Sequence, residues 1–430
     1  MAPETRGPAM HAFIASLYPI CRSITGDGLR ETLGRIGKHI PLTLYHVQSG
    51  KSVLDWTVPL EWNIRDAYVK NAAGERVIDF RAHNLHVVNY SLPVRAKMTL
   101  AELRPHLYTL PDQPDLIPYR TSYYTPTWGF CLAHNELVKL QEGEYEVCID
   151  SMLAPGTLDY GECVLDGTCP DEVLISCHVC HPSLADDNLS GIAVALELAQ
   201  RLQSTPHRLK YRFVFIPGTI GSITWLAYHQ DAAQRVKHGL VLTCVGDAGG
   251  FRYKRSRRGN ATIDRAVEHV LKHSGLAHQV IDFFPYGYDE RQYCSPGFNL
   301  PVGCFMRSQH GTFPEYHTSA DNLDFVRPQA LGESLETLWR VVHVLENERT
   351  MLNLAPQGEP QLGKRGLYEG LGASADRRGY ELALLWVLNQ SDGTHSLLDI
   401  AGQAELPFDV IVRASDALVW AGLLKDANSP

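Results

Sequence analysis

The stretch Ser176–Gly191, SCHVCHPSLADDNLSG, places two cysteines, two histidines and two aspartates in sixteen positions. Cys177-His178-Val179-Cys180-His181 spells the C-x-x-C-H pattern through which c-type haem is attached, and the bare C-x-x-C is a redox signature. The flanks point elsewhere. EVLIS (172–176) is a short continuous apolar run that reads as a buried strand. On the other side, IAVALELAQRLQ carries Ile192, Ala195, Leu196, Ala199 and Leu202 at helical spacing, with Asn188 and Ser190 as caps. A redox C-x-x-C sits at a helix N-terminus, whereas these cysteines directly follow a strand. Strand, ligand-rich loop, helix is the repeating unit of an α/β sheet, and such sheets gather ligands at the carboxyl ends of their strands. The stretch therefore reads as a ligand-rich loop after a buried strand, and its thiols read as buried and packed.

The same rhythm continues outward. YRFVFIP (211–217) precedes the helical SITWLAYHQ, GLVLTCV (239–245) is a third strand, ATIDRAVEHVLKHSG is an amphipathic helix, and LPVGCFM (300–306) is a fourth strand. Continuous apolar strands alternating with helices predict an α/β fold, a largely parallel sheet with helices on both faces. Residues 10–45 are helical in pattern, and Pro- and aromatic-rich strands with an Asn-Ala-Ala-Gly turn follow from about Asp55. The expected organisation is a catalytic domain over 1–54 and 151–350, an inserted β-rich domain over 55–150, and a winged-helix-like domain over 351–430. The last rests on three helical patterns, YELALLWVLNQ, SLLDIAGQAE and PFDVIVRASDALVWAGLL.

Composition narrows the partners. The 430 residues carry a formal net charge of -9, which argues against a polyanionic partner. From Ser374 to Pro430 there are four basic residues (Arg377, Arg378, Arg413, Lys425) against eight acidic ones, the wrong sign for nucleic acid. That module reads as a docking or homo-oligomerisation surface. No run approaches the roughly 20 apolar residues of a membrane span, and the basic-then-apolar start of an export signal is not seen. Ten cysteines scattered from Cys21 to Cys304 read as reduced thiols, so the expected location is cytoplasmic, with a small-molecule or peptide substrate and neither nucleic acid nor membrane.

Reading the strand ends in order gives His178, Asp187, Gly218-Thr219, Asp247 and then RSQHGTFPEYHTSADN, with His310, Glu315, His317 and Asp321. Two histidines and two aspartates, His178, Asp187, Asp247 and His317, fall on one sheet edge. Imidazole with carboxylate is a natural zinc ligand set.

LISCH…ADDNLSGIAVALELA and HTSADN (317–322) resemble the zinc exopeptidase (aminopeptidase) superfamily, with the match spanning about 170–325. The whole architecture resembles a bacterial aminopeptidase-like group with an inserted β-domain and a C-terminal winged helix. The resemblance implies a zinc-dependent hydrolase of an amide bond in a small peptide, aminoacyl or N-acyl conjugate. It places His178, Asp187 (bridging), Asp247 and His317 on metal positions, and Cys180 where an Asp orients the first histidine. It also exposes a departure: the superfamily's Glu-Glu pair, general base and second-metal ligand, falls on Gly218-Thr219. One zinc with Asp187 and Asp247 is already neutral, so one ion is favoured over two. Replacement bases are Glu315, Asp289, Glu290, Asp321 and His181, and Gly218→Glu should raise hydrolysis if the backbone accepts a side chain. Arg255 and Arg257 in RYKRSRR, with Arg252, Lys254 and Arg258, would suit an anionic substrate group. Tyr124 and Trp128 would rim the pocket. The alternatives are a catalytically degenerate binding or regulatory relative and a one-metal acyl-transfer or cyclisation enzyme.

Overall fold

The computed structural model describes residues 3–368 and 375–427. They form two compact units, Met1–Gly259 with Gln279–Leu335, and Asn260–His278 with Glu336–Pro430. In the first unit the four apolar runs become strands Glu172–His178, Lys210–Ile216, Val236–Leu242 and Val302–Met306. They pair in parallel in the spatial order 210–216, 172–178, 236–242, 302–306. All of Glu172–His178 is buried, as a parallel strand covered on both faces requires. Helix Gly191–Gln203 buries Ile192, Ala195, Leu196, Ala199 and Leu202.

Thr43–Gln48 and Thr157–Leu165 join this eight-stranded sheet antiparallel on one side, and Phe251–Lys254 does so on the other, with His278–Ile281 beyond it. The α/β reading holds, with parallel pairing at the centre. Registers such as Ile175↔Phe213 and Val241↔Cys304 bring the carboxyl ends of the central strands to one edge.

Between Thr43–Gln48 and Thr157–Leu165 the chain builds an antiparallel sheet of four strands, in the order Arg76–Asp79, Glu61–Lys70, Glu144–Ala154, Val94–Thr99. Its core includes Ala67, Val69, Phe130, Leu132, Val147 and Ile149. The segment before Phe130 then returns to the main sheet. Tyr119 N donates to His317 O at 2.7 Å, Ser319 N donates to Ile117 O at 2.9 Å, and Pro118 bridges Thr318. Backbone bonds thus tie this module to the loop that carries His317.

The second unit is a winged helix. Helices Ala375–Gln390, Leu397–Ala404 and Phe408–Trp420 accompany a three-stranded sheet ordered Asp392–Ser396, Thr350–Asn353, Leu424–Asp426. Ser396 and Asp399 form the capping box their spacing predicts. Helix Thr262–Lys272 belongs to this unit. Residues 369–374 and 428–430 of the winged-helix assignment lie outside the described residues. Among the described residues no helix is long and apolar enough to cross a membrane.

Candidate metal centre and active site

His178 ends its strand fully buried at the carboxyl edge. Its Nε2 lies 2.8 Å from Asp187 Oδ1 and 3.0 Å from His181 Nδ1. His181 Nδ1 is 3.6 Å from Asp187 Oδ1. From the other side, His317 Nε2 stands 3.0 Å from Asp187 Oδ2. Two donors each about 2.0–2.2 Å from a tetrahedral ion are separated by roughly 3.3–3.6 Å. The 3.6 Å pair lies at that spacing, and the 2.8 and 3.0 Å pairs, now at hydrogen-bond distance, would open by a few tenths of an ångström around a common cation. The ligand atoms of His178, His181 and Asp187 all lie within 4.8 Å of one another.

The protonation states agree with that chemistry. Burial pushes the His178 imidazole down to about 4 and also lowers His317, leaving neutral rings with lone pairs. Burial opposes ionisation of Asp187, yet the neighbouring His181 and His178 hold its carboxyl well below the usual range. Neutral imidazoles around an ionised carboxylate form a zinc-type donor set.

Other elements hold these groups in place. Asp321 accepts from the backbone N–H of Asp186 at 2.6 Å and of Asp187 at 2.9 Å, which fixes the loop carrying Asp187. Buried Arg22 donates Nε to His181 O at 2.8 Å. Tyr288 Oη lies 3.3 Å from His181 Nε2, and its ring lies on His178 with centroids 3.9 Å apart. His317 has a φ of 55°, a left-handed conformation uncommon outside glycine. The Tyr119 hydrogen bond pins that backbone. Tyr119 also meets both His181 and His317 edge-on at 5.0 Å, and its hydroxyl is 2.9 Å from that of Tyr123. The segment before Phe130 thus places Tyr119, hydrogen-bonded to Tyr123, against these two histidines.

Of the four residues read as ligands, His178, Asp187 and His317 come together. Buried Asp247 turns to Gly249 N at 2.5 Å and to Ser308 Oγ and N at 2.8 and 3.1 Å. His181, read only as a base, stands among the ligand atoms. The H-x-x-H spacing was the available signal. Cys180 does not reach His178; its Sγ lies 3.8 Å from both Gly218 O and Tyr288 Oη, and burial pushes its thiol up to about 12. Asn188 Nδ2 approaches His178 Nδ1 instead, at 3.3 Å.

A Cβ built on Gly218 would sit 2.2 Å from Tyr288 Cε1. The space for a side chain at the missing-glutamate position is filled by that phenol ring. Glu290 is buried against Lys254 and accepts from Tyr288 N at 3.1 Å. Asp289 accepts from Ser222 Oγ at 2.8 Å, and burial raises its carboxyl to about 7. Glu315 is half-buried two residues before His317, its carbonyl accepting from Thr318 N and Oγ1. Strand Phe251–Lys254 runs antiparallel to Val302–Met306, so the arginines that follow it leave the carboxyl edge. Arg255 binds Asp282 at 2.6 Å and Arg257 binds Asn299 at 3.0 Å. Tyr124 is half exposed against Trp56, with centroids at 5.2 Å, and Trp128 stacks on His106 at 3.6 Å over the β-module core.

A family model described as a domain of unknown function, DUF4910, matches residues 11–348. The chain belongs to the DUF4910 family. A winged helix-turn-helix model matches residues 349–426 of the same DUF4910 chain. A Clostridium acetobutylicum relative, named for polysaccharide biosynthesis and an aminopeptidase-like domain, is 52% identical over 419 residues, covering 97% of this chain and 96% of the relative. A crystal structure from Clostridium acetobutylicum, named for a peptidase, is 50% identical with a TM-score of 0.94, covering 99% of this chain and 97% of that one. The Bacillus subtilis zinc aminopeptidase BSAP aligns with a TM-score of 0.58 at 13% identity, covering 79% of this chain and 94% of that one. The DUF4910 chain thus has the zinc-aminopeptidase fold with a winged helix added.

Proposed function

We propose that the chain is a metal-dependent hydrolase that cleaves an amide bond in a small peptide, aminoacyl or N-acyl conjugate. One zinc ion would be held by His178, His181, Asp187 and His317. The carrying observation is the convergence of three imidazoles on both oxygens of one buried carboxylate. The fold shared with a zinc aminopeptidase and the aminopeptidase-like name of the Clostridium relative support the same reading. A bound zinc would polarise a substrate carbonyl and lower the pKa of water towards about 7. Tyr288 supports the one-ion count, because it fills the side-chain space at Gly218. It also holds the outer nitrogen of His181, the kind of contact that orients a metal-binding ring. Tyr119 packs edge-on against His181 and His317, and its hydroxyl meets that of Tyr123.

The domain scheme proposed is catalytic over 1–54 and 151–350, an inserted β-rich domain over 55–150, and a winged helix over 351–430. The acidic balance of the winged helix supports protein docking or self-association rather than nucleic-acid binding. The test is metal analysis of protein purified without chelator, followed by a panel of aminoacyl and N-acyl amides. One zinc per chain and turnover of one amide class are expected. A zinc-loaded protein that leaves the whole panel intact would remove the hydrolase reading.

A further inference from the structure

His310 stands on the loop between strand Val302–Met306 and His317. It is 6% exposed, and both ring nitrogens are buried without a hydrogen-bond partner. Leaving a buried polar group unpaired is costly to the fold. Both nitrogens of this buried ring, one donor and one acceptor in the neutral form, are open to a ligand. The ring faces Tyr286 with centroids 6.2 Å apart, and Tyr286 lies two residues from the Tyr288 that covers His178. Glu290, Lys254, Asp187 and His317 all bear on the charge of this imidazole. Burial lowers its proton affinity, so the ring is neutral near pH 7, with one donor and one acceptor nitrogen.

Among the other candidates, Glu290 is paired with Lys254, Asp321 accepts from Asp186 N and Asp187 N, Asp289 binds Ser222 through one oxygen only, and Gly218 has no side chain to offer. We propose that His310 carries the proton in the amide cleavage, the work a glutamate at position 218 would otherwise do. The assignment rests on the hydrolase reading above. A water oxygen adds to the amide carbon while its proton passes to the acceptor nitrogen of His310. The carbon–nitrogen bond then breaks with its electron pair remaining on nitrogen, and His310 returns the proton to that nitrogen. An acid and an amine leave, and the imidazole ends neutral.

The test compares zinc-loaded wild-type protein with His310→Ala and His310→Gln on the amide that wild type cleaves fastest. General acid–base assistance is worth about 10²–10⁴-fold, so kcat should fall by that order while KM and zinc content hold. Added imidazole should restore part of the rate to His310→Ala, which a packing role would not permit. A kcat within about threefold of wild type, or a loss of rate that imidazole leaves unchanged, overturns the assignment and leaves the hydrolase reading standing. Wild-type protein that cleaves no amide overturns both. Independently of turnover, ¹⁵N-histidine NMR should show the His310 ring signals moving when an amino-acid hydroxamate is added. Signals that stay in place count against the assignment.

Discussion

Gly218→Ala is the smallest change that probes why the usual carboxylate is missing. The added carbon would lie 2.2 Å from Cε1, 2.8 Å from Cζ and 2.9 Å from Oη of Tyr288. The ring cannot retreat without cost, because it is buried on His178 and its hydroxyl reaches His181. Overpacking of this kind costs about 1–3 kcal/mol, and here the displaced ring bears on two proposed ligands. The expected outcome is a melting temperature lower by several degrees, together with weaker zinc retention. Tyr288→Ala alone opens a cavity worth about 3–5 kcal/mol, but it also removes the clash. The double variant should therefore be about 1–3 kcal/mol more stable than the sum of the single changes. Thermal and urea unfolding of the four proteins measures this coupling. Additive effects, or a neutral Gly218→Ala, would refute the steric argument. By the same argument Gly218→Glu alone brings no gain in hydrolysis, since its condition, room for a side chain, is not met.

Further outcomes follow from neighbouring groups. Tyr288→Phe keeps the ring and removes the oxygen beside His181, so zinc affinity should fall by about 10–100-fold with little change in melting temperature, read by competition with a chelating dye. Asp289 titrates near 7 when folded against an ordinary 3.8, a raised pKa. Its contribution is fully present below the unfolded value and is lost as pH rises through about 7, up to roughly 4 kcal/mol. Asp289→Asn should flatten the decline in melting temperature between pH 5 and pH 8, and an unchanged decline would show that another group causes it.

Much of this was legible in the sequence. Continuous apolar runs declare buried parallel strands because both faces are covered, and the strand ends then put His178, Asp187 and His317 on one edge. What the pattern lacked was direction. The H-x-x-H spacing names His181 as a candidate, but the turn that sends its ring back towards Asp187 is set by packing. Asp247 sits at an expected place, but Gly249 and Ser308 decide where its oxygens point. The run around Arg255 looked close to the metal edge, yet its short strand, Phe251–Lys254, is antiparallel, and four residues carry no sign of orientation. Tyr288 enters from a distant loop, and only three-dimensional packing reveals that it fills the space beside Gly218.

The central claim is a single ion held by His178, His181, Asp187 and His317. Native mass spectrometry of protein purified without chelator, alongside His181→Ala and Asp247→Asn, tests it most directly. The account predicts one zinc per wild-type chain, its loss in His181→Ala and its retention in Asp247→Asn. Two ions in wild type, one of them lost in Asp247→Asn while His181→Ala keeps both, would contradict it.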